Sequence, residues 1–212
     1  MNAVYATSLS HAATKAPWQA FVPVMTLPIY DRNVITAAYH EAAHAFVNTL
    51  IGLPVASAEV DSNGSGVMRF DIERLDRRAR FPIAVAERSQ IMKEAALLFA
   101  AGLYAGKQAE LLLHCYPQEG YLSLNDSDHQ RASEFLHESY GEDIPIYEAQ
   151  RLARAILQHH WPAIQALAAR LNARGRITTV DVLSVLPAAL PHHADLLALL
   201  PHRQYRGGLL LW

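Results

Sequence analysis

Val34-Ile35-Thr36-Ala37-Ala38-Tyr39-His40-Glu41-Ala42-Ala43-His44-Ala45-Phe46-Val47-Asn48-Thr49-Leu50 reads as a helix. Asp31 or Asn33 stands where an N-terminal cap belongs, Val34, Ala37, Ala38, Phe46, Leu50 and Ile51 form a buried stripe, and Gly52-Leu53-Pro54 ends it. Inside it lies His40-Glu41-Ala42-Ala43-His44, and the helical setting gives that pentad its meaning. Residues four apart share a face one turn apart, so both imidazoles can reach a single ion while Glu41 projects beside them toward a metal-bound water. With 11 His and as many Glu in 212 residues, composition alone supplies roughly 0.03 such pentads, so the pattern is a signal.

Working outward, residues 55–71 hold two short β-prone runs around Asn63-Gly64, a hairpin signature. Residues 83–114, dense in Ala and Leu, read as a central helix in which Gly102 and Gly106 permit close packing or a break. Pro117 to Leu124 reads as a loop, and Ser127-Asp128-His129-Gln130 fits a capping box opening a helix to about Ser139. A helical region follows from Ile146 to Ala173 with a boundary near Pro162, closed by Gly175. Thr179 is placed to cap a short helix through Val185, and residues 191–200 add one more before a Gly207-Gly208 tail. Residues 1–30, with three prolines and no periodicity, read as an extended arm. The architecture expected is mainly α with one small β-hairpin, a single domain over 31–212.

A net charge of −2 argues against a nucleic-acid partner, because phosphate neutralisation needs a concentrated positive field. The one dense basic run, Arg74 to Arg80, is interleaved with acids and reads as a solvated face. The apolar stretch Ala95 to Gly106 is shorter than the ~18–20 residues that span a bilayer, so no membrane span is expected. No positive n-region precedes an apolar run, and the lone Cys115, read as a buried inert thiol at a helix end, fits a reducing compartment. A cytoplasmic location is expected.

A catalytic metal needs a third protein ligand beside the two histidines. The H-E-x-x-H-x-x-G-x-x-H extension is excluded, since Val47 occupies the Gly position and Leu50 the final His position. Glu94, Glu110, His114, Asp126, Asp128 and His129 remain open by spacing. His159-His160 and His192-His193 are adjacent pairs whose side chains point apart on a helix, a spacing unsuited to one ion.

Three segments resemble the peptidase domain of the FtsH-type ATP-dependent zinc proteases. Thr36 to Ala45 is similar to that family's active-site helix, with Ala43 where the family has Gly. Ala105-Gly106-Lys107-Gln108-Ala109-Glu110-Leu111-Leu112 resembles its Gly-Arg-x-Ala-Glu-x-Leu segment, with Lys107 in the Arg position. Ser127 to Ser133 resembles its Asn-Asp-x-x-x-Ala-Thr, whose Asp completes the zinc site. Placing the family's Ala on Ala132 puts that ligand at Asp128, the register adopted; matching the Asn-Asp pair literally would put it at Asp126.

The resemblance covers residues 35–135 and implies a compact zincin-like helical bundle with Zn²⁺ held by His40, His44 and Asp128. Glu41 would be the general base of peptide-bond hydrolysis by a metal-activated water. Neither a G-x-x-x-x-G-K-[ST] phosphate loop nor a membrane helix is recognisable. The expected substrates are therefore peptides and unfolded proteins, with a separate protein partner or self-assembly in place of the ATPase. The competing reading is a catalytically silent metal-binding or interaction module that keeps the peptidase fold.

Overall fold

Nearly every residue of α1 (Val34–Leu50) is buried, so this helix is enclosed on all sides rather than amphipathic. Ala37, Ala38, Ala42, Ala43 and Ala45 let its neighbours approach closely, and Phe46 and Leu50 fill the space at its C-terminal half, each burial contributing about 1.5–3 kcal/mol. Helix α1 ends in paired backbone bonds, Gly52 N–H to Thr49 O at 3.0 Å and Leu53 N–H to Asn48 O at 2.8 Å. This is a Schellman cap, and it requires the left-handed φ of 90° at Gly52.

The computed structural model describes residues 34–71, 85–115, 127–200, 204–206 and 209–211. The expected arm at 1–30, the caps Asp31 and Asn33, the basic run Arg74 to Arg80, the loop Pro117 to Leu124 and Asp126 lie outside the described residues.

After α1 come β1 (Val55–Val60), β2 (Gly66–Phe70), α2 (Val85–Leu113), α3 (Ser127–Tyr140), α4 (Ile146–His159), α5 (Trp161–Arg174), β3 (Arg176–Thr178), α6 (Thr179–Leu183), α7 (His193–Leu197), β4 (Gln204–Arg206) and β5 (Leu209–Leu211). The mainly helical fold with a small β element is as expected. Helix α2 is unbroken and packs against α1, α3 and α4, while α1 also meets α5 and the sheet. The window Ile91–Leu113 is long and apolar enough to cross a membrane by composition, but 78% of it is buried within the protein, as for a core helix.

The expected hairpin is present: β1 and β2 pair antiparallel from Val55↔Phe70 to Val60↔Gly66. Its connection is wider than a two-residue Asn-Gly turn. Asp61 accepts the Asn63 and Ser65 amides through its side chain, both at 2.9 Å, and Gly64 takes φ 77°. A third strand was not foreseen: β3 pairs antiparallel with the other edge of β1, giving the order β2-β1-β3.

The boundary near Pro162 is a break at His160, with the proline in the first turn of α5, where its missing N–H costs nothing. Gly175 ends α5 with φ 70°. Four details differ from expectation. The cap of α6 is Thr178, in a capping box with Asp181, while Thr179 instead donates its hydroxyl to Val55 O at 2.6 Å. Strands β4 and β5 pair around the glycines expected to form a tail. Cys115 is exposed rather than buried, because α2 ends two residues earlier and Cys115 turns away with φ 57°. Ser127, expected to cap α3, is instead its first helical residue.

Candidate metal centre

Thr36, His40, His44 and Asn48 recur every fourth residue on α1, and Gly102, Gly106, Glu110 and His114 do the same on α2. The two ridges meet in antiparallel order. Thr36 Oγ1 lies 3.3 Å from His114 Nε2, His40 Nδ1 donates to Glu110 Oε1 at 2.7 Å, and His44 Nδ1 donates to Gly102 O at 2.9 Å. Asn48 Nδ2 donates to His44 O at 2.8 Å, with Asn48 Oδ1 against Gly102. A buried helix rich in polar residues is costly unless those groups are satisfied; this ladder satisfies most of them and leaves Asn48 Oδ1 buried without a hydrogen bond among the described residues.

Both Nδ1 atoms face groups that only accept, a carboxylate and a backbone carbonyl, so each neutral ring carries its proton there and presents an Nε2 lone pair. The two Nε2 atoms are 3.0 Å apart. Asp128 arrives from the first turn of α3, its Oδ2 3.2 Å from His44 Nε2 and 3.8 Å from His40 Nε2. Two lone pairs and a carboxylate converging this closely are an arrangement that a divalent cation satisfies. A tetrahedral site with bonds of about 2.0–2.1 Å spaces its ligand atoms about 3.3–3.4 Å apart, and the three separations here straddle that value. His40, His44 and Asp128 can therefore hold a metal ion.

Gly106 leaves the space this requires. A Cβ built there would come within 2.5 Å of His40 Nε2 and Cδ2 and closer still to His44 Nε2, so any side chain at 106 would enter the ligand cluster. Burial alone would raise the Asp128 carboxyl, but when the facing rings of His40 and His44 are protonated, as they can be with no cation between them, their hydrogen bonds and charge hold it well below the usual range. Burial likewise opposes ionisation of Glu110, and His40 and Lys107, whose Nζ is 2.8 Å from Oε2, hold it well below the usual range. Both are carboxylates at neutral pH.

Glu41 is 5% exposed and has no hydrogen-bond or ion-pair partner among the described residues. Its carboxylate lies against Gly66 at the start of β2, where a Cβ would collide with its side chain. Strand β2 pairs on one side only, with β1, among the described residues.

The remaining candidates have other places. Glu110 stands behind His40 as its acceptor, not beside Asp128. Glu94 is about 24 Å from Glu110 along the α2 axis. His114 meets Thr36, and His129 Nδ1 is 2.9 Å from Tyr104 Oη. The adjacent histidines at 159 and 160 do not point apart as expected: the chain breaks between α4 and α5 at His160, and the two rings meet edge to face with centroids 4.7 Å apart, His160 also packing on Phe46, while His193 Nε2 is 3.1 Å from Ile51 O. Sequence reasoning missed the roles of Gly66, Gly106, Asn48 and the Glu110–His40 bond. The four-residue spacing of Gly102, Gly106, Glu110 and His114 is the signal that carried three of these contacts. Compared with known families and curated proteins, the chain matches no family model and no curated protein.

Proposed function

We propose that the chain is a zinc-dependent metallopeptidase that hydrolyses peptide bonds in peptides and unfolded proteins. The observation that carries this reading is Glu41, one residue beyond a ligand histidine, only 5% exposed as a residue and with no hydrogen-bond or ion-pair partner among the described residues. No polar contact among the described residues accounts for this carboxylate, whose oxygens are not sealed from solvent, and proton transfer beside a metal supplies a role for it. Two imidazoles and one carboxylate form a donor set suited to zinc, with a coordination position left for water.

Bound zinc supplies Lewis acidity to a water and to the scissile carbonyl. The protein does the rest. His40 and His44 orient the ion through rings fixed at Nδ1 by Glu110 and Gly102 O. Glu41 accepts the water proton at a carboxylate oxygen and delivers it to the departing amine. The edge of β2 offers backbone groups to an extended substrate by strand addition. A separate protein partner or self-assembly would bring substrates to the site, and the expected setting is the cytoplasm.

The test compares zinc-loaded wild type with Glu41→Gln on a library of unfolded peptides. Cleavage is expected to fall about 10²–10⁴-fold in the variant, and equal rates would overturn the assignment. The enclosure of Glu41 beneath Gly66 favours a second reading, a metal-binding interaction module without turnover; zinc bound at the cluster with no Glu41-dependent cleavage would select it.

A further inference from the structure

We propose that Tyr104 is a positioning residue that sets the reach of Asp128 through its bond with His129. The inference rests on the reading of His40, His44 and Asp128 as a metal site. Asp128 is the second residue of α3, in the turn whose backbone amides lack intrahelical acceptors and where helices open first. The core burial of α3 comes from Ala132 and Leu136, four and eight residues downstream on the same ridge as Asp128. Those two side chains choose which face of α3 turns inward but grip it one and two turns beyond the carboxylate. In the first turn itself Ser127, Gln130 and Arg131 are exposed.

His129 is tied to α2 at this point. Its Nδ1 is 2.9 Å from Tyr104 Oη, with ring centroids 5.9 Å apart, and Tyr104 is buried. Successive helical residues are about 100° apart around the axis, so a fixed bond at 129 determines both the height and the rotation at which 128 leaves the helix. Ser133 Oγ donates to His129 O at 2.8 Å and braces the following turn. Helix α2 then organises all three ligands: Glu110 and Gly102 O hold the histidine rings, and Tyr104, two residues from both Gly102 and Gly106, holds the aspartate's helix.

The experiment is Zn²⁺ titration by chelator competition on the full chain, with thermal melts of the metal-free protein alongside. Tyr104→Phe and His129→Ala should each weaken zinc about 2- to 12-fold, and the double variant should be no weaker than the weaker single one. His129→Asn, whose amide can meet the phenol, should recover affinity. In an Asp128→Ala background Tyr104→Phe should change the residual zinc affinity no further, whereas a purely structural Tyr104 would lower the melting temperature and leave zinc affinity unchanged. Should Tyr104→Phe fail to fold, His129→Ala carries the same prediction. Wild type that binds zinc while both single variants stay within twofold overturns the positioning role alone; wild type that binds no zinc overturns it together with the metal-site reading.

Discussion

Replacing Gly106 by alanine puts one methyl group where the ligands converge. The added Cβ would sit 2.5 Å from His40 Nε2, whereas favourable heavy-atom contacts lie near 3.5–4.0 Å, so the ring must move by about 1 Å. That displacement works against the Glu110–His40 bond, worth about 1.5–3 kcal/mol as a charged hydrogen bond, and the His44–Gly102 bond, worth about 0.5–1.5 kcal/mol. Alanine returns about 1 kcal/mol of helix propensity. The metal-free variant should therefore be less stable by about 1–3.5 kcal/mol, given losses of about 2–4.5 kcal/mol. Zinc affinity should fall at least about 100-fold, because two ligands are displaced together with their outer partners. Urea unfolding of the metal-free protein reads the first quantity and chelator competition the second. Gly102→Ala is the control: its methyl meets Asn48 Oδ1 instead of a ligand atom, so it should lose stability and keep most of its zinc affinity. A Gly106→Ala protein that binds zinc within twofold of wild type would refute the reasoning.

Glu110→Gln keeps the shape of the His40 acceptor but removes its charge and the Lys107 ion pair; zinc should bind about 10- to 100-fold more weakly by calorimetry. Asp181→Ala removes the capping box of α6 and should cost about 1 kcal/mol at pH 7 by urea unfolding. Because bonds from Thr178 hold the Asp181 carboxyl below its ordinary value, this stability is present above the unfolded-state pKa and lost as pH falls, so the gap between wild type and variant should shrink below about pH 4. Burial and the neighbouring His159 hold the His160 imidazole below its ordinary value. The folded state thus favours the neutral ring, and wild type should lose stability as pH drops below about 6.5, a loss that thermal melts of His160→Asn should show reduced.

How much of this was legible in the sequence depended on range. The helix carrying His40 and His44, the long Ala- and Leu-rich α2 and the hairpin were each readable because their signals are local: spacing of three and four, Gly52-Leu53-Pro54, and Asn63-Gly64. Strand β3 escaped because three residues after Gly175 are too few to show alternation; β1 makes them a strand. Thr178 and Thr179 are both good caps, and the choice turned on Asp181 three residues beyond Thr178. The third ligand was the hardest. Asp128 is 84 residues beyond His44 in the sequence, its type suits the first turn of a helix without any metal, and only a family resemblance selected it from six candidates. Glu110 shows the converse, a carboxylate with ligand chemistry whose position on the α2 ridge places it behind a histidine. The glycines at 66 and 106 were readable as small residues but not as space kept free for Glu41 and for an ion.

Elemental analysis of untagged wild type beside His44→Ala and Asp128→Ala tests the central claim most directly, with zinc per chain as the readout. Near-stoichiometric zinc in wild type and its loss from both folded variants is the predicted result. A wild type that remains metal-free after zinc reconstitution, or variants that retain zinc at the wild-type level, would contradict the site.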